Sequence, residues 1–316
     1  MILLLVRRVI TAIPTILLVT LGVFFLLSLV PGDPAVTIAS AGGQATPEQV
    51  TQVREEFHLQ DSTLEQYGRW LGSLAQLDFG HSFVTGNSVA GEIADRFPVT
   101  FELAVAGIVV ALLIGLPLGL YSGMRPNGAV DRFSRIYTSL GLAVPSFFLA
   151  IMLVVLVSVQ WELLPPSGYV PITENPAEWL KLTLLPAITL GVGVSAVFSR
   201  QLRASLVDVL GSKYVQAAWA RGGSPRLVVG KHALKNAANA PITILGLQFG
   251  YLIGGTVIIE QIFGIPGLGA FMLTGIVSLD LPVVQGCVFV FVLTQIAMSL
   301  IVDLVYGYLN PKVRVS

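Results

Sequence analysis

The sequence predicts an all-α membrane protein with six transmembrane helices and a small helical insertion on the outer side after the first. Three observations carry this. The 316 residues are 54% hydrophobic and 11% charged, with mean hydropathy +0.80, whereas soluble domains carry about 25% charge. Six apolar stretches approach the roughly 20 residues that cross a bilayer. The basic residues gather on one side of those stretches. Net charge is zero, so nothing in the bulk charge attracts nucleic acid, and no nucleic-acid partner is expected.

The spans read, in order, Val9–Val30, Phe101–Tyr121, Ile136–Trp161, Leu182–Phe198, Ile242–Ile262 and Val283–Leu309. The fourth is short and rich in Gly and Ser, and can run on to about Leu206. Arg7 and Arg8 before the first span, with Ala39-Ser-Ala41 beyond it, imitate a secretory leader. An apolar run of roughly 22 residues exceeds the 7–15 of a leader, however, so the first span is read as uncleaved. With the N-terminus inside, the outer segments hold only Arg54, Arg69, Arg96 and Lys181 of the 18 Lys and Arg. Both termini are then cytoplasmic. The expected organisation is a tail and first span (1–30), an extracytoplasmic helical segment (31–99), a five-helix core (100–309) with a cytoplasmic loop (200–240), and a cytoplasmic tail (310–316).

Two capping boxes make the 31–99 segment helical. In Thr46-Pro-Glu-Gln49 a capping Thr precedes Pro at the first helical position, with Gln three residues on. Ser62-Thr-Leu-Glu65 repeats the pattern, and Leu64, Tyr67, Leu71 and Leu74 follow at helical spacing. The outer connection 162–181 contains four prolines and reads as a stiff extended link. The outer connection 263–282, with Gly264-Ile-Pro-Gly267 and Gly269, reads as a tight turn region.

Inside the spans, Gly115, Gly119 and Gly123, then Gly246, Gly250 and Gly254, recur four apart and permit close helix approach. They suit packing within the bundle or an interface with a subunit or pathway. Carboxylates at depth are costly and point to function. Glu102 and Glu260 fall near outer span ends, where they can reach the interface or serve a pathway or gate. Asp303 lies deeper on the cytoplasmic side, where it can pair with a basic residue or line a pathway. Ion coupling through these acids would define a secondary transporter, but no internal repeat supports one. No P-loop, H-E-x-x-H or G-x-S-x-G pattern occurs. No catalytic residue and no bound cofactor are therefore expected. Three histidines and the lone Cys287 offer no metal-ligand spacing.

The 200–240 loop holds a short element, Tyr214-Val-Gln-Ala-Ala-Trp-Ala-Arg-Gly-Gly223. Glycines stop it, and Ser224-Pro225 can open the next helix. A helix of about two turns cannot stand alone. Ala217, Ala218 and Ala220 let another backbone approach, and Trp219 supplies an anchor. Docking on a partner protein and contact with the lipid surface both fit the basic flanks.

Gln216-Ala-Ala-Trp-Ala-Arg-Gly222 resembles the E-A-A-x-x-x-G core of permeases in binding-protein-dependent ABC importers, with Gln in place of Glu. Tyr214–Gly222 and Lys231-His-Ala-Leu-Lys-Asn-Ala237 are similar to the dipeptide/oligopeptide/nickel branch. So are Pro31-Gly-Asp-Pro34, Asp78-Phe-Gly-His-Ser82, Leu184-Leu-Pro-Ala187, Gly264-Ile-Pro-Gly-Leu-Gly269, Asp303-Leu-Val-Tyr306 and Asn310-Pro311. The resemblance covers nearly the whole chain and is nearest to the first permease subunit of peptide, dipeptide or glutathione importers.

It implies the type I importer permease fold in a bacterial or archaeal plasma membrane. It implies a coupling helix in which Tyr214, Gln216, Ala217, Ala218, Trp219, Arg221 and Gly222 meet an ATPase. It also implies a second homologous permease, two cytoplasmic ATPase subunits that bind the ATP and Mg, and an extracytoplasmic binding protein. The implied cargo is a di- or oligopeptide, with glutathione or nickel as alternatives.

Overall fold

The computed structural model describes residues 2–40, 44–224 and 227–309. Pro225, expected to open a helix, and the tail 310–316 lie outside them. Among the described residues the regular structure is helical, apart from one isolated bridge between His81 and Ser88.

Helix α1 (Ile2–Ser28) is followed by α2 (Pro34–Ala39), capped by Asp33, whose Oδ1 accepts the Ala35 N–H at 2.9 Å. Helices α3 (Pro47–Glu56) and α4 (Thr63–Leu74) open with the two expected capping boxes. In the first, the Thr46 N–H donates to Gln49 Oε1 at 2.8 Å and the Gln49 N–H to Thr46 Oγ1 at 3.3 Å. In the second, hydrogen bonds from Ser62 hold the Glu65 carboxyl below its ordinary pKa.

Helix α5 (Val89–Met124) starts well before Phe101, so the end of the 31–99 segment is already helix. The expected third span is broken. Helices α6 (Ala129–Ala143) and α7 (Ser146–Leu153, continued by a π-helical turn over Val154–Gln160) meet at a 100° bend. Pro145 lacks an N–H and forces its predecessor out of the helical region; Val144 has ψ 119.

The short fourth span becomes α8 (Pro176–Leu210), one of the longest helices. Pro176 occupies its first turn after the Asn175 cap, so the stiff link ends there and the last part of 162–181 is helix. Helix α9 (Lys213–Ala220), a π-helical segment (Val228–Ala233) and α10 (Leu234–Ala237) lead into α11 (Asn239–Phe263). The connection read as a tight turn contains α12 (Leu268–Val277). It is short, apolar and glycine-bearing, which removes the helical period a sequence reading needs. Helix α13 (Leu281–Leu309) ends the described chain. Five helices are long and apolar enough to cross a membrane, and the bent pair α6–α7 makes six if it crosses as one span.

Two compact units emerge from the contacts. The first holds Ile2–Thr100 and Pro266–Thr294. In it α4 leans on α1 through Tyr67, whose hydroxyl donates to the Leu17 carbonyl at 3.0 Å and lies 2.9 Å from Thr20 Oγ1. Phe24, Tyr67 and Trp70 form the buried cluster, with Leu71 and Leu74 against it. Leu64, expected on the same face, is exposed. A second cluster joins Val89, Ile93, Leu268, Val283 and Cys287. Asp280, buried, accepts from Ser82 Oγ at 2.5 Å and the Phe83 N–H at 3.2 Å, fixing the loop before α5.

The second unit holds Phe101–Ile265 and the chain from Gln295 onward, with α8 at its centre. On α5, a Cβ at Gly115 would meet the Ser195 carbonyl at 2.9 Å and one at Gly119 would meet Leu202 at 2.9 Å. This glycine row is intramolecular packing. Gly246 and Gly250 abut Val302 and Gln295 of α13, while Gly254 faces open space.

A polar seam joins α6 to α8. Asp131, fully buried, is bonded by Arg203 through Nε and Nη2 and accepts the Asn127 N–H at 2.8 Å. Ser134 and Ser199 hydroxyls lie 3.4 Å apart, and Tyr137 and Ser195 hydroxyls 2.5 Å apart. Arg135 stands 3.6 Å from the same carboxylate.

Candidate functional site

The short element of the 200–240 loop is a separate helix because both its ends are broken. Gly211 caps α8, and the Ser212 backbone turns the chain into α9. At the far end Arg221 is the cap, and Gly222 takes φ +79, a conformation side chains resist. The Gly222 N–H donates to the Trp219 carbonyl at 2.9 Å and the Gly223 N–H to the Ala218 carbonyl at 3.2 Å. Gly223 also admits Val228, which would lie 2.7 Å from a Cβ there. The glycine pair thus both ends α9 and lets the returning chain close over it.

One face of α9 rests on the protein. Val215 is fully buried with Leu206, Val228, Ala233 and Ala237, and Ala218 packs beside it. Ala218, expected among the outward contacts, is therefore turned partly inward. Tyr214, Gln216, Ala217, Trp219 and Arg221 remain exposed, as does Gly222. Two bonds steady this face from within: the Asn236 amide donates to the Tyr214 hydroxyl at 2.9 Å, and the Gln216 amide to the Gly211 carbonyl at 3.0 Å. An aromatic pair and a guanidinium are thus presented on a braced helix. Aromatic and guanidinium side chains are the types favoured where proteins dock on one another.

The three acids do not converge on one site. Glu102 lies within α5 and its Oε2 accepts from the Tyr169 hydroxyl and the Trp179 indole, both at 3.1 Å. Burial first, and the Glu102 charge second, push the Tyr169 hydroxyl up to about 12, so it stays a donor. A cavity of about 400 Å³ beside Glu102 is walled mostly by apolar side chains of α5 and α8, with Thr183 and, from the preceding loop, Ile172. Glu260, read as reaching the interface or serving a pathway or gate, is fully buried near the end of α11 and so does not reach the interface. Asp303 is exposed on α13. No group of three or more potential metal ligands occurs among the described residues.

Sequence reasoning reads Pro145 as a helix kink within or near a span, but not as a 100° break of the third span. A cavity of about 370 Å³ opens there, lined by Val144, Pro145, Ser146, Thr189, Gln248 and Tyr251 among others. Tyr251 is 70% exposed in the middle of an apolar helix. Pro145 was the available signal, but a proline alone does not distinguish a kink from a 100° turn.

Two family models match the chain. Residues 115–315 match the binding-protein-dependent transport system inner membrane component, and residues 1–104 match the N-terminal part of such membrane components. The chain belongs to this permease family. Over 311 residues the permease is 38% identical to a putative peptide transport system permease protein of Brucella abortus, covering 98% of each chain. It is 36% identical over 309 residues to the glutathione transport system permease protein GsiC of Escherichia coli K12, again covering 98% of each. A probable peptide ABC transporter permease of Sinorhizobium fredii is 33% identical over 308 residues.

Among solved structures, the methionine ABC transporter MetNI in an inward-facing conformation superposes with TM-score 0.55 at 17% identity. The match spans 69% of this permease and 96% of that chain. An amino acid ABC transporter gives 0.54 at 14% identity, over 69% of this permease and 94% of that chain. The fold is the importer permease fold, and the protein is a multi-pass transport subunit. The secondary-transporter reading of the three acids has no support in this family.

Proposed function

We propose that this permease carries short peptides through the membrane for an ATP-driven importer, with α9 as the helix that docks on an ATPase. The observation that carries the reading is the division of α9 into two faces. Val215 and Ala218 seat it on the second unit, while Trp219, Tyr214, Gln216 and Arg221 stand outward. Closure of two nucleotide-binding partners would move such a helix as a rigid body, and α8 joins it directly to the bundle. ATP and Mg would be bound by those partners.

A second, homologous permease would complete the pathway, and a binding protein would deliver cargo to the 31–99 segment outside. Both termini face the cytoplasm in this reading, as the basic residues dictate. The break between α6 and α7, with Gln248 and Tyr251 beside it, is a better pathway candidate than the three acids. Interrupted helices expose backbone polar groups where a cavity can use them.

The peptide cargo rests on the names of the Brucella and Sinorhizobium relatives. Glutathione, itself a small peptide, is the second reading and rests on the relative GsiC.

The test uses the assembled transporter in vesicles. Trp219→Ala and Arg221→Glu should each lower ATP-dependent peptide uptake at least tenfold and reduce ATPase co-purification, with the permease still inserted. Unchanged uptake and unchanged co-purification in both variants would refute docking through α9. Uptake without any ATPase would refute the importer reading itself.

A further inference from the structure

Transport through α9 and the helix break leaves the cavity beside Glu102 unexplained. It lies on the face of α8 turned away from the break. Thr183 and Ala187 line it, whereas Thr189 and Gly193 line the cavity at the break. Ala187 and Thr189 stand about 200° apart round the helix. On α5 its wall is Phe101, Val105, Val109 and Leu113, spaced by four and so on one face. All four are exposed, Leu113 to 70%. The row runs about 18 Å along the helix. One leaflet's hydrocarbon is roughly 15 Å deep, half the core of a bilayer. An open apolar groove of that length in a membrane-spanning bundle is shaped for an acyl chain.

Its polar end selects the head. Glu102 Oε2 is taken by Tyr169 and Trp179. Glu102 Oε1 has no partner among the described residues and is open to the surface. No Lys or Arg pairs with this carboxylate among the described residues. The 162–181 connection adds Glu162, Glu174 and Glu178 against one base, Lys181, which Glu178 engages at 3.3 Å. Glu174 is close enough to help hold the Tyr169 proton. Tyr and Trp are also the residue types that settle at headgroup level, and in the orientation read from the basic residues this end is the outer one. A groove with an unneutralised carboxylate at its head suits an amphiphile with a cationic head and repels an anionic one. A primary ammonium can also donate to Oε1, which a quaternary one cannot.

We propose that the groove holds one phosphatidylethanolamine, with an acyl chain along α5 from Phe101 to Leu113 and its ammonium on Glu102 Oε1.

The test uses the full chain, purified and exposed to equimolar phosphatidylethanolamine, phosphatidylcholine and phosphatidylglycerol, with retained lipid counted by native mass spectrometry. The native chain should keep one phosphatidylethanolamine at least fivefold over either other lipid, as one hydrogen bond to a charged group implies. Glu102→Gln should erase that preference while still holding a lipid. Val109→Trp fills the groove from an exposed position and leaves the carboxylate in place; it should cut retention of every lipid at least fivefold. Equal retention of the three lipids by the native chain, or unchanged retention in either variant, overturns the proposal. So does displacement of the lipid by alanylalanine, which would make the groove a cargo site. Should Glu102→Gln not insert, the ethanolamine head against the choline head in the native chain carries the same test. None of these measurements needs an ATPase or uptake, so they stand apart from the importer assembly.

Discussion

Asp131 shows what a single residue does in a membrane bundle. Its carboxylate is fully buried and held by Arg203 of α8, two turns before that helix ends and α9 begins. Removing one partner of such a pair leaves the other charge uncompensated, at a cost of about 3 kcal/mol. Asp131→Asn should therefore lower the thermal midpoint of the purified permease, and Arg203→Gln in the same chain should recover part of the loss. Additive losses in the double variant would show that the two residues act separately. Glu65 behaves differently because it is exposed. Its carboxyl is depressed by the Ser62 hydroxyl, so its share of stability is present above the ordinary 4.5 and is lost as pH falls through the lower folded value. Amide exchange in α4, measured against pH, should rise across that window in the native chain and not in Glu65→Gln.

Helix starts were more legible in the sequence than helix breaks. Both capping boxes are local patterns of side chain and backbone, and both form as written. Ser62→Ala should cost about 1 kcal/mol and speed amide exchange in α4 roughly fivefold. Gly222, which ends α9, was readable for the same reason: a positive φ is a property of one residue. The bend at Val144-Pro145 was not. Proline removes one donor, but whether the chain then kinks or turns through 100° depends on what α8 offers the two halves. Pro145→Ala should let the halves straighten, lengthening a spin-label distance between Val130 and Trp161, and should lower uptake with insertion unchanged. An unaltered distance would mean that the packing, not the proline, holds the bend.

For the whole molecule, the lone Cys287 is buried, so introduced cysteines can be read against a quiet background. With both termini cytoplasmic, Glu55→Cys should react with an impermeant maleimide from outside intact cells, and Ser224→Cys only after the membrane is opened. The reverse pattern would invert the orientation inferred from the basic residues. By itself the sequence determined the membrane class, the six apolar stretches, the caps and the α9 motif, because each follows from composition or from contacts a few residues apart. Only the tertiary structure decided the rest. It buried Glu260, turned Ala218 inward, made α12 a helix, opened the break beside α8, and brought Tyr169 and Trp179 to Glu102. Each of these depends on which distant side chain arrives, and a span apolar on every face carries no period that says so.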